Sequence, residues 1–190
     1  MKILVLGENG QLGRSIKKSF VNSKLTDQYI FIGRNDLDLS NSKKVSNFFE
    51  NKHFDLIINC SAYTAVDKAE SDIEIANRIN HLAVKQIAKI ANTKKIKVIH
   101  FSTDYVFDGK KQEPYTESDK PNPINIYGKT KLAGEQALQL IMPYEAIIIR
   151  TSWLYSEYGN NFVDTMLRLV KKGDELNIVS DQIGTPTYAS

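Results

Sequence analysis

Short β-branched runs alternate with longer helical segments along this chain, and this alternation limits the fold more than any other feature. Parallel strands need connections long enough to hold a helix, so the spacing predicts an α/β fold with a doubly wound parallel sheet. The predicted strands, each buried on both faces, cover residues 3–6, 29–32, 56–58, 98–101 and 146–149. The predicted helices cover residues 12–20, 43–50, 73–91 and 126–140.

Three glycines in the spacing G-x-x-G-x-x-G follow the first predicted strand and open the first predicted helix. Gly7 allows a tight turn, Gly10 lets the backbone approach a pyrophosphate, and Gly13 lets the helix pack close to the sheet. The free N–H groups of the helix N-terminus favour negative charge there. This position favours a dinucleotide cofactor, although a purely structural turn is the alternative.

The end of the second predicted strand bears on which cofactor binds. An acidic residue there holds the ribose 2′-hydroxyl of NAD, whereas an arginine accepts the 2′-phosphate of NADP. Arg34 therefore favours NADPH, while Asp36 and Asp38 close by keep NADH open. An ordinary surface role for Arg34 is the other interpretation.

Tyr127 and Lys131 lie four residues apart in a predicted helix, so both side chains project from one face. A nearby ammonium should lower the pKa of the phenol and make it a tuned proton donor. Thr103, at the end of the fourth strand, can steady a carbonyl oxygen. We predict that Tyr127 protonates a ketone reduced by hydride, and that Lys131 also binds the nicotinamide ribose.

The character of the sequence changes after Arg150, where an aromatic run precedes a helix predicted at 162–172 and a strand near 176–179. The chain has 190 residues, enough for one full domain and part of a second. We expect an NAD(P)-binding domain at 1–150. We expect 151–190 to be the start of a substrate-binding lobe that is truncated at Ser190.

Composition argues against several classes of partner. The net charge is +3 and the lysines are scattered, which disfavours nucleic-acid binding. The apolar start ends at Gly7, too short for a signal peptide or a membrane span. Cys60 is the single cysteine, so no intramolecular disulfide forms and a cytoplasmic location fits.

The other reactive residue types give no metal or nucleophile pattern. His53, His81 and His100 have no metal-ligand spacing, and we predict structural roles for them and for Cys60. The proline-containing stretch 109–125 joins the Thr103 strand to the Tyr127 helix. It is either a cover over the site or a plain crossover loop.

The chain resembles the extended short-chain dehydrogenase/reductase family, which has a Rossmann-type fold, and within it the dTDP-4-dehydrorhamnose reductases. The resemblance rests on the runs at 10–13, 62–70, 102–107, 127–135, 150–153, 159–162 and 181–187. It implies a catalytic triad of Thr103, Tyr127 and Lys131. It implies cofactor contacts, beside Tyr127 and Lys131, from Gly7, Gly10, Gln11, Leu12, Asp38, Leu39, Ala62, Tyr63 and Thr64. It implies sugar contacts from Asp104, Tyr105 and Trp153, with a packing role for Trp153 as the alternative.

The resemblance implies NADPH-dependent reduction of the 4-keto group of dTDP-4-dehydro-6-deoxy-L-mannose to dTDP-L-rhamnose, and a homodimer is compatible with it. Some members use magnesium for assembly, but no ligand cluster in the sequence places a metal. Another nucleotide-sugar reductase or an epimerase remains open. So does a binding module like the regulatory β subunit of methionine adenosyltransferase, against which the intact triad argues.

Overall fold

One five-stranded sheet forms the centre of the computed structural model, which describes residues 1–21, 26–173, 178 and 181–190. All its strands pair in parallel; they are β1 (Lys2–Leu6), β2 (Gln28–Ile32), β3 (Leu56–Asn59), β4 (Lys97–Thr103) and β5 (Ala146–Thr151). Their order is β2-β1-β3-β4-β5. The order reverses direction after β1, which confirms the predicted doubly wound sheet and places a ligand crevice at its carboxyl edge.

Helices connect these strands at the four predicted places, and a short helix at Val66–Ala69 was not predicted. They are α1 (Gln11–Val21), α2 (Ser42–Glu50), α3 (Val66–Ala69), α4 (Ile73–Asn77), α5 (Ala83–Lys94), α6 (Ile126–Ile141) and α7 (Phe162–Lys172). The helix predicted at 73–91 is divided, because a π-helical turn at Arg78–Leu82 separates α4 from α5. Right-handed crossovers put α1 on one face of the sheet and α2, α5 and α6 on the other.

The main core lies between the sheet and the α2, α5 and α6 layer. Its fully buried members include Leu4, Leu6, Val45, Phe49, Phe54, Ile57, Ile87, Val98 and Leu138.

The prediction that every strand is buried on both faces is wrong for the two edge strands, since the residues of β2 are at most half-buried and β5 is open on one face. Ala146 and Ile148 pack against the core, whereas Ile147 is 59% exposed and Ile149 is 38% exposed. The physical reason is position, because β5 is an edge of the sheet and its second face is not covered by the described residues.

The segment after β5 forms a small sheet of its own. β6 (Leu154–Tyr155) pairs in parallel with β7 (Thr187–Tyr188), and α7 matches the helix predicted at 162–172. The strand predicted near 176–179 falls, apart from Ile178, outside the described residues. Within the described residues, no helix is both long and apolar enough to cross a membrane.

Candidate active site

The glycine turn between β1 and α1 is fixed by close backbone contacts. Gly7 has φ +88°, and a Cβ there would lie 2.9 Å from the backbone of Cys60 and Ser61. A Cβ on Gly13 would collide with the carbonyl oxygen of Gly7. At Gly10 the only described atom that a Cβ would approach within 4 Å is that same oxygen, at 3.4 Å. The turn therefore needs Gly7 and Gly13 for its own packing and leaves Gly10 open to a ligand.

The start of α1 presents backbone donors beside this turn. The first intrahelical bond runs from Arg14 N to Gly10 O, at 3.0 Å, so the N–H groups of Gln11, Leu12 and Gly13 precede it. These donors and the helix dipole suit a pyrophosphate. The glycine turn and the start of α1 thus present the backbone donors that a pyrophosphate requires, and their contact with a dinucleotide stays a prediction.

The side chain of Gln11 is engaged elsewhere. Its Oε1 accepts hydrogen bonds from Asn161 Nδ2 at 3.0 Å and Ser156 Oγ at 3.3 Å, and its Nε2 donates to Leu154 O at 3.4 Å. Gln11 therefore ties the glycine turn to the segment after β5, a contact that sequence reasoning missed because its partners lie about 150 residues away.

The turn after β2 contains two hydrogen-bonded aspartates and an exposed arginine. Asp36 Oδ2 accepts a hydrogen bond from Gly33 N at 3.0 Å, and Asp38 Oδ1 accepts from Ser40 Oγ at 2.7 Å. Hydrogen bonds from Ser40 hold the pKa of Asp38 below its usual value, and the charge of Arg34 helps. Both acids are therefore used in the turn, while Arg34 is exposed. The neighbouring Leu39 packs against the core.

A buried asparagine that the sequence analysis did not single out holds the loop after β3. Asn80, in the π-helical turn, is 1% exposed. Its Oδ1 accepts from Tyr63 N at 2.9 Å, and its Nδ2 donates to Tyr63 O at 3.1 Å and to Thr130 Oγ1 at 3.2 Å. Asn80 thereby joins the predicted cofactor loop, with half-buried Ala62 and exposed Thr64, to α6. A polar residue within an apolar helical pattern was the available clue.

The three predicted catalytic residues come together at the carboxyl edge of the sheet. Thr103 ends β4, Tyr127 lies in the first turn of α6, and Lys131 follows one turn later. The helix approaches closely because residue 128 is glycine, where a Cβ would collide with Tyr105 O. Tyr127 is 9% exposed and Lys131 is 2% exposed.

The prediction that the pKa of Tyr127 is lowered is wrong. Burial raises the pKa of Tyr127 to about 12, although a hydrogen bond with Thr103 acts in the opposite direction. Asp104 and Tyr105 raise it further. The physical reason is that removal from water disfavours the phenolate, while the Lys131 ammonium donates to Phe101 O at 2.6 Å.

Burial also acts on Lys131, where it lowers the pKa to about 8. The carboxylate of Glu135 opposes this shift by favouring the charged form. Lys131 is therefore mostly an ammonium at neutral pH, which lies only about one unit below this pKa.

Two predicted sugar-binding residues adjoin the triad. Asp104 Oδ1 accepts a hydrogen bond from Thr103 Oγ1 at 3.0 Å, and burial raises the pKa of Asp104. The ring of Tyr105 lies edge-on to that of Tyr127, with centroids 5.6 Å apart. These contacts place a carboxyl group and a second phenol next to the proposed proton donor.

Trp153, the third predicted sugar contact, has φ +46°, a backbone conformation that is costly for an aromatic residue. Its ring is 6.2 Å from that of Phe162, and a Cβ on Gly184 would lie 2.8 Å from it. The side chain is packed on residues of the 151–190 segment while remaining partly exposed. Strain of this kind is typical of functional positions.

The stretch at 109–125 is anchored to the two residues that precede it by one or two positions, Phe107 and Asp108. Phe107 and Tyr115 stack with centroids 4.1 Å apart, and Asp108 accepts hydrogen bonds from Tyr115 Oη at 3.1 Å and Asn122 Nδ2 at 3.0 Å. The loop therefore has a built structure of its own.

The described residues contain no group of three or more His, Cys, Asp or Glu side chains that could hold a metal. His100 is buried with Nδ1 3.1 Å from Asn59 Nδ2, and burial holds its pKa well below the usual value. His81 Nδ1 lies 2.9 Å from Asn77 Oδ1, and His53 lies 3.9 Å from Asp55.

The doubly wound sheet, the glycine turn and the Tyr-x-x-x-Lys helix define a Rossmann-type fold of the short-chain dehydrogenase/reductase class. The family model described as RmlD substrate binding domain matches residues 1–190, so the chain belongs to that family. This confirms the resemblance noted in the sequence.

Named relatives are similar over the whole chain. The dTDP-4-dehydrorhamnose reductase of Salmonella typhimurium is 45% identical over 100% of this chain and 63% of its own length. The crystal structure of a dTDP-4-dehydrorhamnose reductase from Clostridium acetobutylicum has a TM-score of 0.94 and 46% identity, covering 100% of this chain and 66% of that one. The crystal structure of the Bacillus anthracis dTDP-4-dehydrorhamnose reductase in complex with NADP has a TM-score of 0.91 and 39% identity. It covers 99% of this chain and 66% of that one. The chain thus spans slightly less than two thirds of the length of these relatives.

Proposed function

We propose that the protein reduces the 4-keto group of dTDP-4-dehydro-6-deoxy-L-mannose with NADPH, giving dTDP-L-rhamnose. The observation that carries the proposal is the convergence of Thr103, Tyr127 and Lys131 beside a glycine turn that fits a dinucleotide. Its 45% identity to a named reductase supports the choice of sugar.

NADPH is the proposed cofactor, and it would supply hydride to the carbonyl carbon. The N–H groups at the start of α1 would hold its pyrophosphate, and Lys131 its nicotinamide ribose. Arg34 is the exposed charge that would meet a 2′-phosphate. The NADP complex of the Bacillus anthracis relative supports this choice, and use of NADH is measured in the same assay.

Tyr127 would donate the proton. With its pKa at about 12, the phenol is fully protonated at neutral pH and ready to give its proton to the developing alkoxide. Thr103 would turn its hydroxyl from Asp104 to the same oxygen and stabilise the charge that builds there. The Lys131 ammonium would stabilise the phenolate left behind.

Asp104, Tyr105 and Trp153 would contact the sugar, and residues 151–190 would belong to the lobe that holds it. Cytoplasmic location and homodimer assembly remain predictions, and size-exclusion chromatography with light scattering measures the second directly. Magnesium, which the resemblance left open, has no proposed ligands among the described residues.

The first experiment measures NADPH oxidation on adding dTDP-4-dehydro-6-deoxy-L-mannose, with Tyr127→Phe alongside. Rapid oxidation that the variant loses by about 10³-fold would support both the reaction and the proton donor. No oxidation by a folded protein that binds NADPH would sink the rhamnose assignment.

Two rivals predict other outcomes. An epimerase retains its nicotinamide and recycles it, so tightly co-purifying cofactor without net oxidation would indicate that class. A regulatory subunit would co-purify with an adenosyltransferase and show no turnover with any nucleotide sugar.

A further inference from the structure

A partly buried ion pair lies next to the proposed catalytic lysine, and no step described above uses it. Arg150 Nε donates to Glu135 Oε1 at 3.0 Å and Arg150 Nη2 donates to Oε2 at 2.6 Å, a two-pronged pairing. The Glu135 side chain is 1% exposed and that of Arg150 is 23% exposed. Because both carboxylate oxygens accept from Arg150 and the Glu135 side chain is buried, the carboxylate is held in one place.

The carboxylate stands one helical turn beyond Lys131. Positions 127, 131 and 135 of α6 are spaced by four, so their side chains share the face that is turned to the sheet. All three are buried. The α6 helix therefore carries a stripe of phenol, ammonium and carboxylate, and Arg150 on β5 closes the stripe at its far end.

The ammonium of Lys131 meets few other charges. On α6 its residue shares a face with Tyr127 and Glu135, and it donates to the Phe101 carbonyl oxygen on β4. Among the described residues, Cys60 after β3 and His100 on β4 are further titratable groups that interact with it.

Burial raises the pKa of the Cys60 thiol to about 12 and keeps His100 neutral. Tyr127 is neutral as well, with its pKa at about 12. Beside the hydrogen bond to Phe101 O, the charge of Glu135 therefore opposes the cost of burying the ammonium, and Arg150 moderates that charge.

The geometry points to Glu135 as a positioning residue that keeps the Lys131 ammonium charged, with Arg150 setting how much of the carboxylate's charge reaches it. The catalytic meaning of this assignment rests on the proposed function. The electrostatic arrangement itself does not rest on the proposed function, so it is tested without substrate or cofactor.

The test is the titration of Lys131 followed by NMR of lysine labelled with carbon-13 at Cε, with the resonance assigned by its loss in Lys131→Arg. Glu135→Gln should move the midpoint down by about one pH unit, since an opposing charge is removed. Arg150→Met should move it up, because an unneutralised carboxylate then faces the ammonium. The double variant Glu135→Gln/Arg150→Met should titrate below the wild type but above Glu135→Gln.

Opposite shifts in the two single variants cannot come from general loosening, which would re-expose the lysine and raise the midpoint in both. Shifts of the same sign, or none, would overturn the proposal. If Arg150→Met does not fold, the order of Glu135→Gln below the double variant decides the same question. Where the protein is an active reductase, the alkaline limb of kcat/KM should follow these shifts; an inactive protein whose lysine still shifts as expected would refute the proposed function alone.

Discussion

The glycine turn and the Thr103–Tyr127–Lys131 cluster lie at the same edge of the sheet but are built by different physics. The turn is fixed by sterics, since Gly7 and Gly13 lack the Cβ atoms that would collide with neighbouring backbone. The ionisation states of the cluster are set by burial, which raises the pKa of Tyr127 and lowers that of Lys131. A steric requirement is visible in the residue types themselves, whereas an ionisation state depends on everything packed around the group.

The largest expected effect tests the cost of burial. Lys131→Met should stabilise the fold at neutral pH by about 3 kcal/mol, since the folded pKa of about 8 lies below the ordinary 10.5. The cost of the charged lysine is complete below pH 8 and disappears as the pH rises through 10.5, so the two unfolding free energies should converge over that window. Urea denaturation at several pH values measures this. Lys129→Met, an exposed position in the same helix, should show neither effect; a destabilised Lys131→Met at pH 7 would contradict the argument.

The next effect tests the hydroxyl at the end of β4. Thr103→Val keeps the shape but removes the donor to the carbonyl oxygen, so kcat should fall by about 10²-fold. Thr103→Ser keeps the hydroxyl and should retain most of the activity. Equal losses in both variants would mean that packing, and not the donor, matters at this position.

A third change tests whether the turn depends on sterics alone. Gly13→Ala should destabilise the protein by about 2 kcal/mol, because the new methyl group meets the Gly7 carbonyl oxygen. Gly10→Ala has room and should leave stability nearly unchanged while weakening NADPH binding. Thermal unfolding and fluorescence titration with NADPH separate the two. If the two substitutions had the same effects on stability and on NADPH binding, the assignment of Gly13 to packing and Gly10 to the ligand would be wrong.

The smallest effect concerns the exposed charge after β2. Arg34→Ala should weaken NADPH binding by about tenfold and leave NADH binding nearly unchanged, because only the former has a 2′-phosphate. Arg168→Ala, an exposed arginine in α7, provides the control. An equal loss for both cofactors would assign Arg34 a general electrostatic role.

The sequence predicted the architecture well because the spacing of apolar residues determines where strands and helices lie. All five central strands lie where they were expected, and α7 begins and ends at the predicted residues. Two failures are instructive: β5 is half exposed because strand order, which composition does not encode, puts it at an edge of the sheet. The π-helical turn at Asn80 was missed because a one-residue irregularity leaves helical periodicity almost intact.

For the site, the sequence predicted which three residues converge but not their ionisation states. Thr103, Tyr127 and Lys131 converge as expected, but the direction of the pKa shift on Tyr127 was wrong. Spacing on a helix shows that two side chains share a face, yet it does not show that Lys131 donates to Phe101 O or that water is excluded. Whether these residues catalyse reduction stays a prediction until turnover is measured.

The link from Gln11 to Ser156 and Asn161 has a consequence for protein engineering. A chimera that joins residues 1–150 of one homologue to the remainder of another would separate an amide from the partners it was selected with. Grafts made at this junction should therefore move these three positions as a set. A junction placed at residue 150 would otherwise break the hydrogen bonds that tie the glycine turn to the segment after β5.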